Sequence, residues 1–210
     1  LPYKWPAYFT KAKRINVWDL KGNKYLDMFC AVGTSILGYG NEKVNKSVLK
    51  NIENGNMSTL NCPEEVLLAK TIIKHHSWAS MAKFTRGGGE ANALAIRIAR
   101  AASGKDKVAI CGYHGWHDWY LSANLGENSS LDEHLLPGLE PKGVPLNLKG
   151  SVHPFNYNDL ESLYSVIKKN DIGVIKMEVI RNLEPQDYFL KRVRKLASDN
   201  NIVLIFDECT

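Results

Sequence analysis

The spacing of apolar and polar residues divides the chain into two parts. In the first part, residues 14–27 predict a β-hairpin, because short apolar stretches flank a loop that contains glycine and asparagine. From Asn41, which suits a helix N-cap, apolar residues recur at helical spacing. Pro63 suits the first turn of a second helix, which is expected to end near residue 75. This part therefore predicts an antiparallel start followed by two helices.

From residue 84 onward, helical and buried-strand patterns alternate. Gly87, Gly88 and Gly89 open a helix with one apolar stripe, and Gly104 is placed to end it. The elements predicted after it are a strand at 108–111, a long surface loop at 124–150, a helix with a capping-box pair at Asn158 and Glu161, a strand at 173–178, a helix at 186–199 and a strand at 202–206. Strands that alternate with crossover helices predict an α/β fold with a mostly parallel sheet and helices on both faces.

Composition places the chain among ordinary globular proteins. Hydrophobic residues make up 44% and charged residues 23% of the 210 residues, which argues against a disordered or fibrous chain. The net charge of +5 is thinly spread, so no nucleic-acid partner is expected. The four cysteines form no Cys-x-x-Cys pair. No apolar run is long enough to span a membrane, so no membrane is expected as a partner. Reduced thiols and the lack of a signal-peptide pattern favour a cytoplasmic protein.

Polar side chains follow directly on the predicted strands. Ligands of parallel sheets bind beyond the carboxyl ends of the strands, and these ends carry Tyr113, His114, Glu178 and Asp207. Asp207 closes an entirely apolar run, so its charge is expected to require a cationic partner. The alternative for Asp207 is the ordinary role of a strand-end aspartate that caps a following helix.

The glycine triplet is a second candidate feature. Three glycines at a helix start leave backbone N–H groups accessible at the positive end of the helix dipole, which suits a phosphate group. A flexible turn is the alternative, and the spacings of a Walker loop or a dinucleotide fingerprint are absent. His114, His117 and Asp118 are close in sequence, but no distant ligand completes the set, so no metal is expected.

Four segments in one order resemble the class III, fold type I pyridoxal-phosphate enzymes, most closely the branch around glutamate-1-semialdehyde aminomutase. Residues 17–27 resemble the family's N-terminal signature, and residues 84–97 resemble its Ser-Gly-Thr-Glu-Ala segment at a helix start. Residues 112–117 resemble its Tyr-His-Gly segment, and residues 205–208 resemble its Phe-Asp-Glu-Val strand end. The resemblance covers nearly all of the chain and implies pyridoxal 5′-phosphate as cofactor.

The resemblance also assigns roles to individual residues. The backbone of Gly88 and Gly89 would hold the cofactor phosphate. Tyr113 would stack on one face of the pyridine ring, and Cys209 would pack on the other face. Asp207 would be the catalytic residue that pairs with the ring nitrogen, because an ionised carboxylate keeps the pyridinium protonated and able to accept electrons.

Two further residues belong to the implied cofactor site. Glu178 occupies the position of the family's Glu-Pro motif, with Val179 in place of Pro, and with His114 it would lie around the cofactor. No lysine here matches the family's Schiff-base motif, so that lysine is expected beyond residue 210 and the chain is expected to stop before it. A structural role is expected for Lys176, which lies inside a strand.

Some positions depart from the family pattern. Gly89 stands where the family usually has Thr, so a hydroxyl contact to phosphate is lost. Ala31 and Val32 replace a Ser-Trp pair of the aminomutase pocket, and Tyr39 replaces a frequent His. These differences favour an aminotransferase with another substrate over the aminomutase itself.

The implied function is the transfer of an amino group between an amino donor and a keto or aldehyde acceptor, in a homodimer. Two alternatives remain open: intramolecular transfer by the aminomutase, and a non-catalytic relative that acts as a binding module. Arg86 and Arg181 are candidates for neutralising a substrate carboxylate, with a surface role as the alternative. Residues 1–55 are expected to form an N-terminal arm and part of a small domain, and residues 56–210 the first half of the large cofactor domain.

Overall fold

The computed structural model describes residues 5–55, 58–126, 140–180 and 182–209. The chain divides into two compact units, Leu1–Met81 and Ala82–Thr210. This division does not test the expected domain boundary after residue 55, which stays a prediction about the complete protein.

The first unit begins with an antiparallel sheet. Its strands are β1 (Phe9–Lys13), β2 (Asn16–Asp19) and β3 (Lys24–Leu26). They are paired in the order β1-β2-β3, which confirms the predicted hairpin as β2 and β3 and adds β1. Asp19 closes the turn by accepting hydrogen bonds from the backbone N–H groups of Lys21 and Asn23, both at 2.9 Å. The hairpin is therefore fixed by a side chain as well as by its glycine.

Two helices complete the described part of this unit. Helix α1 (Glu42–Glu53) begins after Asn41, whose side chain accepts hydrogen bonds from the backbone of Lys43 and Val44. Helix α2 (Pro63–His75) has Pro63 in its first turn. Both helices and the Asn41 cap are confirmed.

The second unit contains a parallel sheet. Its strands are β4 (Lys107–Cys111), β5 (Val152–Pro154), β6 (Ile172–Glu178) and β7 (Val203–Asp207). Among the described residues the strand order is β5-β4-β6-β7, and all neighbouring pairs are parallel. The strands β4, β6 and β7 confirm the prediction, whereas the short strand β5 was not predicted.

The helices of this unit include the three predicted ones, in the predicted order, and one short helix that was not predicted. They are α3 (Gly88–Ser103), α4 (Asp118–Leu121), α5 (Leu160–Lys169) and α6 (Phe189–Asp199). Gly104 ends α3 in the left-handed conformation, with φ of 69°. Helix α6 begins three residues later than predicted, because Asp187 and Tyr188 adopt left-handed φ angles of 47° and 57°. Within the described ranges, no helix has both the length and the apolar character that crossing a membrane requires.

Two apolar clusters lie on opposite faces of the parallel sheet. Along β4, Val108 and Ile110 belong to the cluster that contains residues of α3 and α4. The alternate residues Ala109 and Cys111 belong to the cluster that contains residues of α5 and α6. Because side chains alternate across a strand, this division confirms that helices cover both faces.

The start of α5 differs from the prediction. Asp159 is the N-cap residue, and its side chain accepts a hydrogen bond from the backbone of Ser162 at 2.9 Å. Asn158 has a left-handed φ of 62° and instead bonds to Glu184 and Gln186. The predicted capping box of Asn158 and Glu161 is therefore wrong, because long-range hydrogen bonds hold Asn158 outside the helix.

The predicted long loop is described only in part. Residues 127–139 lie outside the described residues. On either side of them, the chain forms short 3₁₀ turns at Ser122–Leu125 and Leu146–Leu148.

Removing the Asp159 cap should lower stability. We expect Asp159→Ala to reduce the free energy of unfolding by about 1 kcal/mol, because a backbone N–H at the helix start loses its acceptor. Glu161→Ala, in the same turn and exposed, should cost less. Urea denaturation of both variants measures the difference, and equal losses would contradict the assignment of Asp159 as the cap.

Candidate active site

The carboxyl ends of three adjacent strands meet at one edge of the parallel sheet. Glu178 on β6 and Asp207 on β7 are register partners. The segment from Gly112 to His114 follows directly on β4. Strand β4 pairs with β6 on the side of β6 that is opposite to β7. The sheet therefore brings together the strand-end residues that the sequence singled out.

Asp207 is the centre of a buried charge cluster. Its Oδ2 accepts from His114 Nδ1 at 3.0 Å and from Lys176 Nζ at 3.0 Å. The side chains of His114, Lys176 and Asp207 are 0%, 1% and 9% exposed. Burial alone would raise the pKa of Asp207, but the hydrogen bond from His114 and the charge of Lys176 outweigh it and lower the pKa. Asp207 is therefore ionised.

The ring of His114 faces two acceptors. Nδ1 lies against Asp207, and Nε2 lies 3.2 Å from the carbonyl oxygen of Cys111. Burial lowers the pKa of His114, although the hydrogen bond to Asp207 opposes this shift. The neutral ring carries one proton, and the ionised carboxylate attracts it more strongly than the carbonyl does. We therefore assign the proton to Nδ1, from which it is donated to Asp207.

Lys176 is the residue of this cluster whose contact the sequence did not predict. It lies on β6 in a strand whose residues are all buried, and its Nζ donates to Asp207. It supplies the cationic partner that Asp207 was expected to require. The available signal was a lone lysine in an apolar run, on the same strand face as Glu178.

Glu178 is positioned by the chain that follows β4. Its Oε2 accepts a hydrogen bond from the backbone N–H of Tyr113 at 3.0 Å. Gly112 has φ of 103°, and a Cβ there would overlap the Glu178 carboxyl group. The hydroxyl of Tyr120 donates to the Gly112 carbonyl at 2.7 Å. The close approach of backbone and carboxylate therefore requires glycine at position 112.

The start of α3 lies beside this edge. A Cβ placed on Gly88 would be 3.9 Å from the Sγ of Cys209, and one placed on Gly115 would be 3.4 Å from the Cα of Gly89. Asn92 of α3 also donates to the carbonyl of His114 at 3.1 Å. The glycine triplet, the Tyr-His-Gly segment and the end of β7 thus form one site.

Gly89 is packed against an imidazole ring. A Cβ at this position would lie 2.5 Å from Cε1 and 2.6 Å from Nδ1 of His117. Nδ1 of His117 is buried and has no hydrogen-bond partner among the described residues. The ring occupies the space that a larger residue at position 89 would need, which is a physical reason for glycine there.

The aromatic residues that follow residues 112–115 divide between the core and the surface. Trp119 and Tyr120 are 9% and 0% exposed and belong to the apolar core, whereas Trp116 is 66% exposed.

Arg86, a candidate for neutralising a substrate carboxylate, is exposed, and the other candidate, Arg181, lies outside the described residues. Within the described part of the chain, no group of three or more His, Cys, Asp or Glu side chains is arranged to hold a metal ion.

Residues 31, 32 and 39 lie in the first unit. Ala31 and Val32 are exposed and have left-handed φ angles of 49° and 56°. Tyr39 donates its hydroxyl to Asp27 at 2.5 Å. This hydrogen bond is the largest cause of the lowered pKa of Asp27.

Comparison with known proteins identifies the family. Residues 3–210 match the family model for "Aminotransferase class-III". The chain belongs to this family. A glutamate-1-semialdehyde 2,1-aminomutase from Methanobrevibacter smithii is 35% identical over 99% of the chain and 49% of its own length. A 3-aminobutyryl-CoA aminotransferase from Cloacimonas acidaminovorans is 32% identical over 99% of the chain and 48% of its length. The class III chain thus spans about half the length of these curated relatives.

Solved structures show the same fold. An omega-transaminase from Sphaerobacter thermophilus has a TM-score of 0.85 at 22% identity, covering 98% of this chain and 49% of its own. A glutamate-1-semialdehyde aminomutase from Pseudomonas aeruginosa PAO1 has a TM-score of 0.78 at 21% identity, covering 97% of this chain and 46% of its own. The fold is that of the fold type I class III aminotransferases, as the sequence resemblance implied.

Gly89 should not tolerate threonine. We expect Gly89→Thr to lower the free energy of unfolding by about 1–3 kcal/mol, because its Cβ overlaps the ring of His117. Gly87→Ala is the matched control, since no atom lies within 4 Å of a Cβ at that position. Urea denaturation measures both effects. Adding His117→Ala to Gly89→Thr should restore part of the loss; no recovery would contradict the packing explanation.

Proposed function

We propose that the protein containing this chain is a pyridoxal-phosphate-dependent aminotransferase, which moves an amino group from an amino donor to a keto or aldehyde acceptor. The observation that carries the proposal is the meeting of Asp207, Tyr113 and the N-terminus of α3 at one sheet edge. Each of these groups suits a different part of the cofactor. Membership of the class III family supports the same activity.

The phosphate end of the cofactor fits the start of α3. The first N–H groups of a helix have no partner within the helix and lie at the positive end of its dipole. Gly88 and Gly89 carry no side chain that could cover these groups, and Cys209 lies beside Gly88. We assign the phosphate to the backbone of Gly88 and Gly89, with Cys209 packed against the cofactor.

The ring nitrogen fits Asp207. Oδ2 of Asp207 is taken by His114 and Lys176, and Oδ1 lies 3.3 Å from the backbone nitrogen of Cys209. An ionised carboxylate in this position accepts a hydrogen bond from a protonated ring nitrogen. When bound, pyridoxal phosphate supplies an electron sink that stabilises the negative charge formed at the substrate Cα. Asp207 serves that chemistry by holding the proton on the ring nitrogen.

Three further residues shape the proposed cofactor pocket. Tyr113 is assigned to one face of the ring, and its own ring is held edge-on by Tyr120 at a centroid distance of 6.3 Å. His114 orients Asp207 through its Nδ1 proton, and Glu178 anchors the backbone of Tyr113. The pocket residues therefore support one another through hydrogen bonds that need no cofactor.

The organisation of the complete protein is part of the proposal. Residues 1–55 are assigned to an arm and part of a small domain, and residues 56–210 to the first half of the large domain. We further propose a homodimer, on the strength of the family resemblance, and a cytoplasmic location, on the strength of the four free cysteines.

Asp207 should control cofactor affinity. In the complete protein, we expect Asp207→Asn to weaken binding of pyridoxal phosphate by up to about tenfold, because the amide carries no charge to pair with the ring nitrogen. Glu208→Gln is the matched control, since Glu208 is the adjacent, exposed acid. Fluorescence titration measures both affinities. Equal affinities for the two variants would contradict the assignment of Asp207.

The aminomutase is the second candidate function, because several of the similar curated proteins carry that name. The complete protein should release a free keto product when it is incubated with cofactor, an amino donor and a keto or aldehyde acceptor that takes up the nitrogen. A mutase returns nitrogen to the same carbon skeleton, so it releases no such product. Chromatographic detection of a keto product in proportion to the donor consumed supports the aminotransferase, and its absence during turnover of a glutamate-1-semialdehyde substrate supports the mutase.

A further inference from the structure

The sheet of the second unit contains a buried lysine. Lys176 is 1% exposed, and its neighbours on β6, Ile175 and Met177, are both 0% exposed. A lysine in such surroundings is costly unless its charge is balanced nearby. Its Nζ reaches the strand-end carboxylate of Asp207 at 3.0 Å.

This contact means that Asp207 already has a cationic partner within the chain. Lys176 and His114 both donate to the same carboxylate oxygen, Oδ2. Glu178 also acts on Lys176: burial lowers the pKa of Lys176, while the charges of Asp207 and Glu178 oppose that shift. A protonated pyridine nitrogen that binds Asp207 would therefore enter a site in which one cation is present.

We propose that Lys176 is a positioning residue that holds and orients the Asp207 carboxylate, and that its charge reduces the preference of this site for a protonated ring nitrogen. This proposal rests on the proposed function, because it concerns how the same site binds pyridoxal phosphate. Two cations held by one carboxylate repel each other, and the repulsion is strong where water is excluded. Lys176 thus orients the Asp207 carboxylate and at the same time weakens the pairing of that carboxylate with the ring nitrogen.

The contribution of the ring nitrogen can be measured separately from the rest of the cofactor. The analogue 1-deazapyridoxal phosphate has a carbon in place of the ring nitrogen and keeps the phosphate and the aldehyde. The ratio of its dissociation constant to that of pyridoxal phosphate reports the pairing with Asp207. Equilibrium dialysis of the complete protein with each compound gives this ratio without any measurement of turnover.

The ratio should be small in the natural protein and larger without the lysine charge. We expect a ratio below about tenfold for the unaltered protein, since repulsion offsets most of a charged hydrogen bond. Lys176→Met should raise the ratio by on the order of tenfold, because the cation is removed. Lys176→Gln, which can still donate to Asp207, should act in the same direction, whereas Lys176→Arg should keep a ratio near that of the unaltered protein.

Lys195→Met is the matched control. Lys195 is a lysine on α6 whose side chain is 75% exposed, and it pairs with Asp199 at the surface. Its loss should leave the ratio unchanged, which separates the local charge of Lys176 from the net charge of the protein.

The outcomes distinguish this proposal from the proposed function. If pyridoxal phosphate binds but the neutral variants keep the natural ratio, the role of Lys176 is overturned and the proposed function stands. If pyridoxal phosphate binds neither the unaltered protein nor any variant, the proposed function fails. Where neither neutral variant folds, the unaltered protein decides: a ratio above about a hundredfold would mean that Lys176 does not weaken the pairing.

Discussion

The carboxylate of Asp207 is the group on which the second unit depends. It lies at the end of an apolar strand and is bound by a buried lysine from β6 and a buried histidine from the segment after β4. Lys176 and Asp207 would be costly to bury alone, because a charge removed from water needs a partner, and the polar ring of His114 needs a hydrogen-bond partner. Together they connect the ends of β4, β6 and β7 in a single cluster. The same contacts that allow burial also fix where a ligand can meet the carboxylate.

Glycine gives this edge of the sheet its shape. At positions 89 and 112, the space of a missing Cβ is filled by a side chain from another segment, His117 in the first case and Glu178 in the second. Gly88 is similar but less crowded, with Cys209 at ordinary contact distance. Backbone and functional side chains can therefore approach more closely than ordinary residues would allow. The shape of the site therefore depends on the lack of side chains at Gly89 and Gly112 as well as on the side chains that fill this space.

Local sequence signals predicted most of the helices and strands, because the start and end of these elements depend on residues that are close in the sequence. The Asn41 cap, the Gly104 end of α3 and the buried strands all follow from such signals. The cap of α5 could not be decided in this way, since Asn158 and Asp159 are both good caps and long-range bonds of Asn158 select between them. Strand β5 is only three residues long and has no clear periodicity. The meeting of the candidate residues follows from parallel topology, whereas the contact of Lys176 depends on a partner 31 residues away. The cofactor roles of these residues stay predictions.

The separation along the chain of the groups in the cluster has a consequence for folding. The bond from His114 to Asp207 joins residues 93 positions apart, and the bond from Tyr113 to Glu178 joins residues 65 positions apart. Such contacts form only after the intervening loops have been closed, which costs chain entropy before any contact compensates for it. Helices can form early, but the carboxylate cluster requires that β4, β6 and β7 be already paired in register. The carboxylate cluster is therefore completed among the last steps of folding, and its hydrogen bonds report that the sheet has been assembled correctly.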